Sequence, residues 1–195
     1  EDLVNLPNWL PLTFRIDDGE WFRLDDVEIL AFRQELDLKR GLLRRELRVR
    51  DALGHTIRWS ERRLVSMADP HLAGLCVELT PEDWSGQLTV RSELDGRVTN
   101  NGVRRYRDLA KQHLEAFELD QMGEDGIFLR CRTNQSLIGM AQAARTCLYR
   151  DDRQVEAKRH TRVLERQIVQ EIICRVHEGE SIVIEKIVAL HTSRD

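Results

Sequence analysis

The chain has 195 residues, 41% hydrophobic and 33% charged, a balance that can fill the core of one domain or a tight pair. Its 30 basic residues are interleaved with 34 acidic ones for a net charge of −4 and a pI near 5.9, which excludes the concentrated positive footprint of a nucleic-acid or anionic-membrane binder. No apolar run approaches the ~18 residues of a membrane span. The opening Glu1-Asp2-Leu3 carries acid where a signal peptide needs Lys or Arg, so a cytoplasmic protein, given as a trimmed or internal fragment, is expected.

Most of the chain reads as strands separated by turn residues. Strand candidates begin at 28–38. Leu43, Leu47 and Val49 then share one parity while Arg44, Glu46, Arg48 and Arg50 take the other, the period of a half-buried strand. Asp51-Ala-Leu-Gly54 supplies a hairpin turn, with Gly taking a positive φ, and residues 55–59 return. Residues 72–80 form the next strand, closed by Pro81, and 87–94 follow after Ser85-Gly86, with Asp95-Gly96 as the next turn. Further strands are expected at 127–133, 137–148, 168–176 and 181–190.

One segment departs from period two. Tyr106, Leu109, Ala110, His113, Leu114 and Phe117 recur at three- and four-residue steps, which predicts an amphipathic helix over 104–118. The loop before it, Val98-Thr-Asn-Asn-Gly102, has residues tolerant of left-handed backbone. Asn100 and Asn101 offer amide groups, and Arg104 and Arg107 flank Tyr106, so these four are the candidate substrate- or interface-facing residues. A solvated surface helix is the alternative. About nine strands and one helix argue for a large antiparallel sandwich rather than a parallel α/β sheet.

Catalytic motifs of the phosphate-loop, dinucleotide, nucleophile-elbow and zinc-helix kinds do not occur. The six histidines are scattered, no two at the i, i+4 spacing that places both imidazoles on one helix face, so no metal site is expected. Glu35 and Asp37 share one strand face, as an acid/base pair would, but a polar sheet face balanced by neighbours such as Arg33 and Lys39 is the expected reading. Trp9, Trp21, Trp59 and Trp84 are expected to pack rather than to stack on sugar rings. Cys76, Cys131, Cys147 and Cys174 form no C-x-x-C pair and are expected to be free thiols.

Several stretches, in order, resemble landmarks of one family. They are Leu6-Pro-Asn-Trp9, Phe32-Arg-Gln-Glu-Leu-Asp-Leu-Lys-Arg-Gly41, Val65-Ser-Met-Ala-Asp-Pro70, Leu79-Thr-Pro-Glu-Asp-Trp-Ser-Gly86, Leu94-Asp-Gly-Arg-Val-Thr-Asn-Asn-Gly102 and Glu185-Lys-Ile-Val-Ala-Leu-His-Thr-Ser-Arg-Asp195. Together they resemble the N-terminal domain of glycoside hydrolase family 65, which includes maltose, trehalose, kojibiose and nigerose phosphorylases and some hydrolases of α-linked glucosides.

The resemblance implies an all-β fold, an antiparallel supersandwich similar to the distorted β-sandwich of galactose mutarotase, with one short helix. It implies that 1–190 are this domain and 191–195 the start of a linker to an (α/α)6 catalytic barrel, where the family's general acid and phosphate-binding residues lie. The parent reaction so implied is inverting cleavage of an α-glucosidic bond: a carboxylic acid protonates the leaving oxygen while phosphate or water attacks the opposite face. No catalytic, cofactor or metal residue of the family maps onto this chain; inorganic phosphate is the co-substrate of a phosphorylase parent. The implied partners are the chain's own barrel, a second copy as homodimer, and an α-glucoside disaccharide bound by the parent, with neither nucleic acid nor membrane. The isolated fragment is expected to be inactive, with a structural and dimerising role. A carbohydrate-binding module and a mutarotase-like enzyme are the alternatives.

Overall fold

The computed structural model describes residues 4–100 and 111–195. Among them, thirteen strands run in chain order as β1 (Leu12–Ile16), β2 (Glu28–Asp37), β3 (Leu42–Arg50), β4 (Thr56–Val65), β5 (Leu72–Pro81), β6 (Gly86–Asp95), β7 (Leu114–Met122), β8 (Gly126–Thr133), β9 (Gly139–Arg150), β10 (Arg153–Gln154), β11 (Lys158–Leu164), β12 (Gln167–Val176) and β13 (Ile182–Thr192). A 3-10 turn spans Leu24–Asp26. All pairings are antiparallel. One sheet orders its strands β1-β6-β12-β11; the larger one runs β2-β3-β4-β5-β13-β9-β8-β7, with β10 paired to β9. The expected antiparallel sandwich is what the chain forms.

Local chemistry places the strands as their patterning demands. In β3, Leu47 and Val49 are buried while Arg48 and Arg50 face water. The β3–β4 hairpin closes on Asp51, whose Oδ1 accepts the N–H groups of Leu53 and His55 at 2.9 and 2.8 Å. Gly54 takes the positive φ (93°) that lets the chain reverse there. Trp84, in the β5–β6 turn, is buried and donates its indole N–H to the Thr56 carbonyl at 3.2 Å, tying that turn to the start of β4.

The predicted helix is not present where the structure can test it. Residues 114–118 belong to β7, and 101–110 lie outside the described residues. The reason is a β-bulge between Glu115 and Glu118, with Ala116 at φ 53°. The extra residue lets Leu114 and Phe117, three apart, reach the same core cluster, where Leu119 joins them. A bulged strand therefore reproduces the three-residue step of a helical stripe. Strands β1 and β11 were not anticipated: β1 is short, and β11 is an edge strand whose charged residues leave no apolar parity to read.

Between the sheets lie two apolar clusters. Phe14, Trp59, Leu79, Val90, Leu148, Ile172 and Ile184 contribute to one. Leu94, Ile127, Leu129, Ala144, Ile168 and Val188 contribute to the other. A polar layer separates them. Ser92, Thr146, Gln170 and Lys186 each sit midway between a residue of one cluster and a residue of the other, two positions away on the same strand face, and all four are buried. Register brings them together: Ser92 pairs with Gln170 across β6 and β12, and Thr146 with Lys186 across β9 and β13. The layer is bonded rather than merely tolerated. Thr146 Oγ1 donates to Ser92 Oγ at 2.8 Å, and Lys186 Nζ donates to the carbonyls of Glu93 (2.8 Å) and Pro11 (3.1 Å).

Candidate functional site

Of the four candidate residues, Asn100 alone lies within the described residues; Asn101, Arg104 and Arg107 fall outside them. Asn100 is buried. Its Oδ1 accepts the Asn5 N–H at 3.0 Å, its own N–H donates to the Lys111 carbonyl at 3.1 Å, and Asn5 Nδ2 donates to the Thr99 carbonyl at 2.9 Å. These bonds fasten the N-terminal segment to the place where the chain re-enters the described fold. Beside them is an open recess of about 350 Å³ whose walls include Asn5, Trp9, Val98, Gln142 and Leu190. Gln142 is nearly inaccessible and spends its amide N–H on the Pro7 carbonyl at 2.8 Å.

Glu35 and Asp37 are each neutralised by an adjacent arginine. Arg33 meets Glu35 at 2.7 Å, and Arg40 meets Asp37 at 2.9 Å. The hydrogen bond from Arg40 holds the Asp37 carboxyl below the usual carboxylate range. This is the balanced polar face, with Arg40 rather than Lys39 supplying the side-chain partner of Asp37. Trp59 stacks on Phe14 and Phe22 in the core, with ring centroids 5.5 and 6.0 Å away. Trp9 packs against both apolar clusters. Trp21 carries the guanidinium groups of Arg91 and Arg15 on its ring, at 3.5 and 4.9 Å from the centroid. None of the four tryptophans is fully exposed.

A larger cavity of about 790 Å³ opens between the β7–β8 turn and the β10–β11 segment, bounded by Glu124, Asp125, Gln154, Glu156 and Arg159 among others. Asp125 there accepts from Arg145 at 3.0 Å and from the Cys147 thiol at 3.4 Å. Burial pushes the Arg159 guanidinium down, and it donates to Gln170 Oε1 at 2.8 Å, so the cavity wall is continuous with the buried polar layer. Among the described residues, no histidine lines this cavity or the recess beside Asn5.

Histidines do converge elsewhere. His71, in the β4–β5 connection, stacks on His191 of β13 with ring centroids 4.0 Å apart and planes 13° apart. Asp195 Oδ2 lies 3.7 Å from His71 Nδ1 and 3.8 Å from His191 Nδ1. Main-chain bonds place the group: Leu190 N–H donates to the His71 carbonyl at 2.8 Å, and His71 Nδ1–H donates to the Leu190 carbonyl at 2.9 Å. The Thr192 N–H, at 2.5 Å, fixes Asp195 Oδ2 and is the leading reason its carboxyl sits below the usual range. Spacing along the chain could not announce this cluster, because its two imidazoles come from segments joined only by strand pairing. The i, i+4 relation of His191 and Asp195 was the one local signal.

Compared with known proteins, residues 1–195 match in full the model of glycosyl hydrolase family 65, N-terminal domain. An uncharacterized glycosyl hydrolase of Mycobacterium tuberculosis is 44% identical over 195 residues, all of this chain and 15% of the relative. Kojibiose phosphorylase of Halothermothrix orenii is 27% identical over all of this chain and 24% of its own length. Alpha,alpha-trehalose phosphorylase of Thermoanaerobacter brockii is 26% identical over 91% of this chain and 23% of its own. The chain thus spans between 15% and 24% of these relatives. A solved structure named "Putative kojibiose phosphorylase from human microbiome" superposes with a TM-score of 0.81 over 98% of this chain and 23% of that one; at 17% identity the likeness speaks to fold alone. No helix among the described residues is long and apolar enough to cross a membrane.

Proposed function

Because the chain belongs to glycosyl hydrolase family 65, as its N-terminal domain, we propose that it is the non-catalytic sandwich of a larger enzyme that cleaves α-linked glucose disaccharides with inversion, using phosphate or water as acceptor. The observation that carries this is the match of the N-terminal family model to all of 1–195, while the same residues account for only 15–24% of the relatives. In the proposed parent, a carboxylic acid in the C-terminal barrel protonates the leaving oxygen and phosphate or water attacks the anomeric carbon from the opposite face. Phosphate arrives already anionic and needs no general base, so one carboxyl group suffices in a phosphorylase, whereas a hydrolase needs a second.

The sandwich's part is to dock, on the barrel and on a second copy. Supporting this reading, edge strand β2 leaves Ile29, Phe32 and Leu36 about half exposed, which is more apolar surface than a free sheet edge ordinarily presents. The loop holding Asn100, Asn101, Arg104 and Arg107 is proposed as a further contact to barrel or partner. Reversing Arg104 and Arg107 together in the complete enzyme should weaken dimerisation, activity or thermal stability; wild-type values for all three would remove the loop from the interface.

The test of function is direct. The 195-residue chain, incubated with maltose, trehalose, kojibiose or nigerose plus phosphate, should release neither glucose 1-phosphate nor glucose. The complete polypeptide should turn over at least one of them. Sustained turnover by the chain alone, lost on changing Glu35 or Asp37, would overturn the non-catalytic reading.

A further inference from the structure

We propose that His71, His191 and Asp195 form a binding site for a divalent transition-metal ion of the zinc class. Two imidazole nitrogens and one carboxylate are the ligand set that borderline ions such as Zn²⁺, Co²⁺ and Ni²⁺ prefer, whereas Mg²⁺ and Ca²⁺ seek oxygen-rich cages. One donor atom from each of the three residues lies within 4.8 Å of the other two. The nitrogen–oxygen separations are 3.7 and 3.8 Å. Two ligands ~2.1 Å from a tetrahedral ion stand about 3.4 Å apart, so capture asks each nitrogen–oxygen pair to close by a few tenths of an ångström and the two stacked rings to turn out of parallel so that both lone pairs reach the ion.

The surroundings are those of a supported site. Asp195 is oriented by Thr192, whose N–H holds Oδ2 at 2.5 Å and whose hydroxyl donates to Oδ1 at 3.2 Å. His71 is seated by its backbone N–H, which donates to Asp69 Oδ1 at 3.0 Å. Without metal, the His71 ring is held by donation from Nδ1 to the Leu190 carbonyl. Coordination through Nδ1 needs that proton moved to Nε2, a tautomer change that a neutral ring makes freely. Three ligands leave a fourth position for water or a further donor. The consequence for the fold is a clip. The ion joins the β4–β5 connection to the end of β13 and the turn that follows it, fixing the direction in which the chain leaves the sandwich.

Titration of Zn²⁺ into the 195-residue chain near neutral pH, followed by calorimetry, should show one saturable site per chain. Mg²⁺ and Ca²⁺ should not compete for it. Co²⁺ should bind the same site and develop the visible absorption of a low-coordinate nitrogen–oxygen complex. His191→Ala, at a residue whose side chain is 58% exposed, should fold normally yet lose at least ~10-fold in affinity, as should Asp195→Ala. Cys76→Ser should leave binding unchanged. Absence of saturable Zn²⁺ binding, or binding that survives His191→Ala and Asp195→Ala intact, would overturn the proposal.

Discussion

The Lys186 ammonium donates to the backbone carbonyl of Glu93 at 2.8 Å, joining β13 of the large sheet to β6 of the small one through the middle of the core. Lys186 is wholly inaccessible, and burial pulls its pKa from 10.5 down to about 7, with the Glu93 carboxylate opposing that fall. The layer it shares with Ser92, Thr146 and Gln170 interrupts what would otherwise be one continuous apolar core. A one-residue slip of β13 would remove the ammonium from its two carbonyls and turn Ile184 and Val188 away from their clusters, so the layer helps to fix register.

That depression has a definite sign in stability. Below about pH 7 Lys186 is protonated in both folded and unfolded chains and contributes no slope. Between about 7 and 10.5 the unfolded chain holds a proton that the folded chain lacks, so stability rises with pH through this window. Lys186→Met removes the titration. Urea unfolding of both proteins from about pH 7 to about pH 10 should therefore show their difference moving in favour of the wild type, by at most ~1.4 kcal/mol per pH unit. A difference independent of pH would mean that Lys186 stays charged throughout.

Glu61 should be the most costly acidic residue to remove. It is 3% exposed and takes Arg45 at 2.6 Å, Arg63, and the Trp59 indole N–H at 3.1 Å. Glu61→Ala leaves two partly buried guanidinium groups and an indole donor without their acceptor. The expected loss is about 3 kcal/mol, at the lower end for a broken buried pair because both arginines retain some solvent. Chemical denaturation measures it, and a loss below about 1 kcal/mol would show that water replaces the carboxylate adequately.

Gly96→Ala tests the bulge in β7. A Cβ at Gly96 would run into the Phe117 ring and stand 2.9 Å from the Arg166 carbonyl, which already accepts the Gly96 N–H at 2.8 Å. The contact is on backbone as well as side chain, so the neighbours cannot all retreat. A destabilisation of about 1–3 kcal/mol is expected. It should shrink in a Phe117→Leu background, and full additivity of the two changes would mean that the ring is not what the methyl meets.

How much of this was legible in sequence depends on whether a signal was local. Leu47 and Val49 against Arg48 and Arg50 report a half-buried strand within four residues, and the Asp51–Gly54 turn reports its own hairpin. Leu114 and Phe117 misled because a single left-handed Ala116 converts period two into a step of three, which no propensity of Ala announces. The polar layer is invisible one strand at a time, since Ser92, Thr146 and Gln170 each pass for a solvent-side residue until register places them inside. His71 and His191 are in the same position: their stacking depends on β13 lying beside β5. Asn100 was found from its loop composition, but its side chain holds Asn5 rather than standing ready for a ligand alone.

The four cysteines should differ sharply in reactivity although all are free thiols. Burial pushes the thiols of Cys131 and Cys174 each up to about 11, and the thiolate is the reactive form, so both should be inert near neutral pH. Cys147 is buried as well, with Arg145, Asp125 and Gln154 packed around its sulfur at 3.3, 3.4 and 3.7 Å. Cys76 is only half-buried, on β5, where Arg62 of the neighbouring strand reaches its sulfur at 3.4 Å. Iodoacetamide labelling of the native chain, read by peptide mass mapping, should therefore modify Cys76 first and leave the other three until the chain is unfolded. Thiol titration in denaturant without reductant should then find all four. Two or fewer would mean bridges that the fold does not contain, and labelling of Cys131 or Cys174 at the rate of Cys76 would mean that the sandwich opens locally far more often than its two clusters allow.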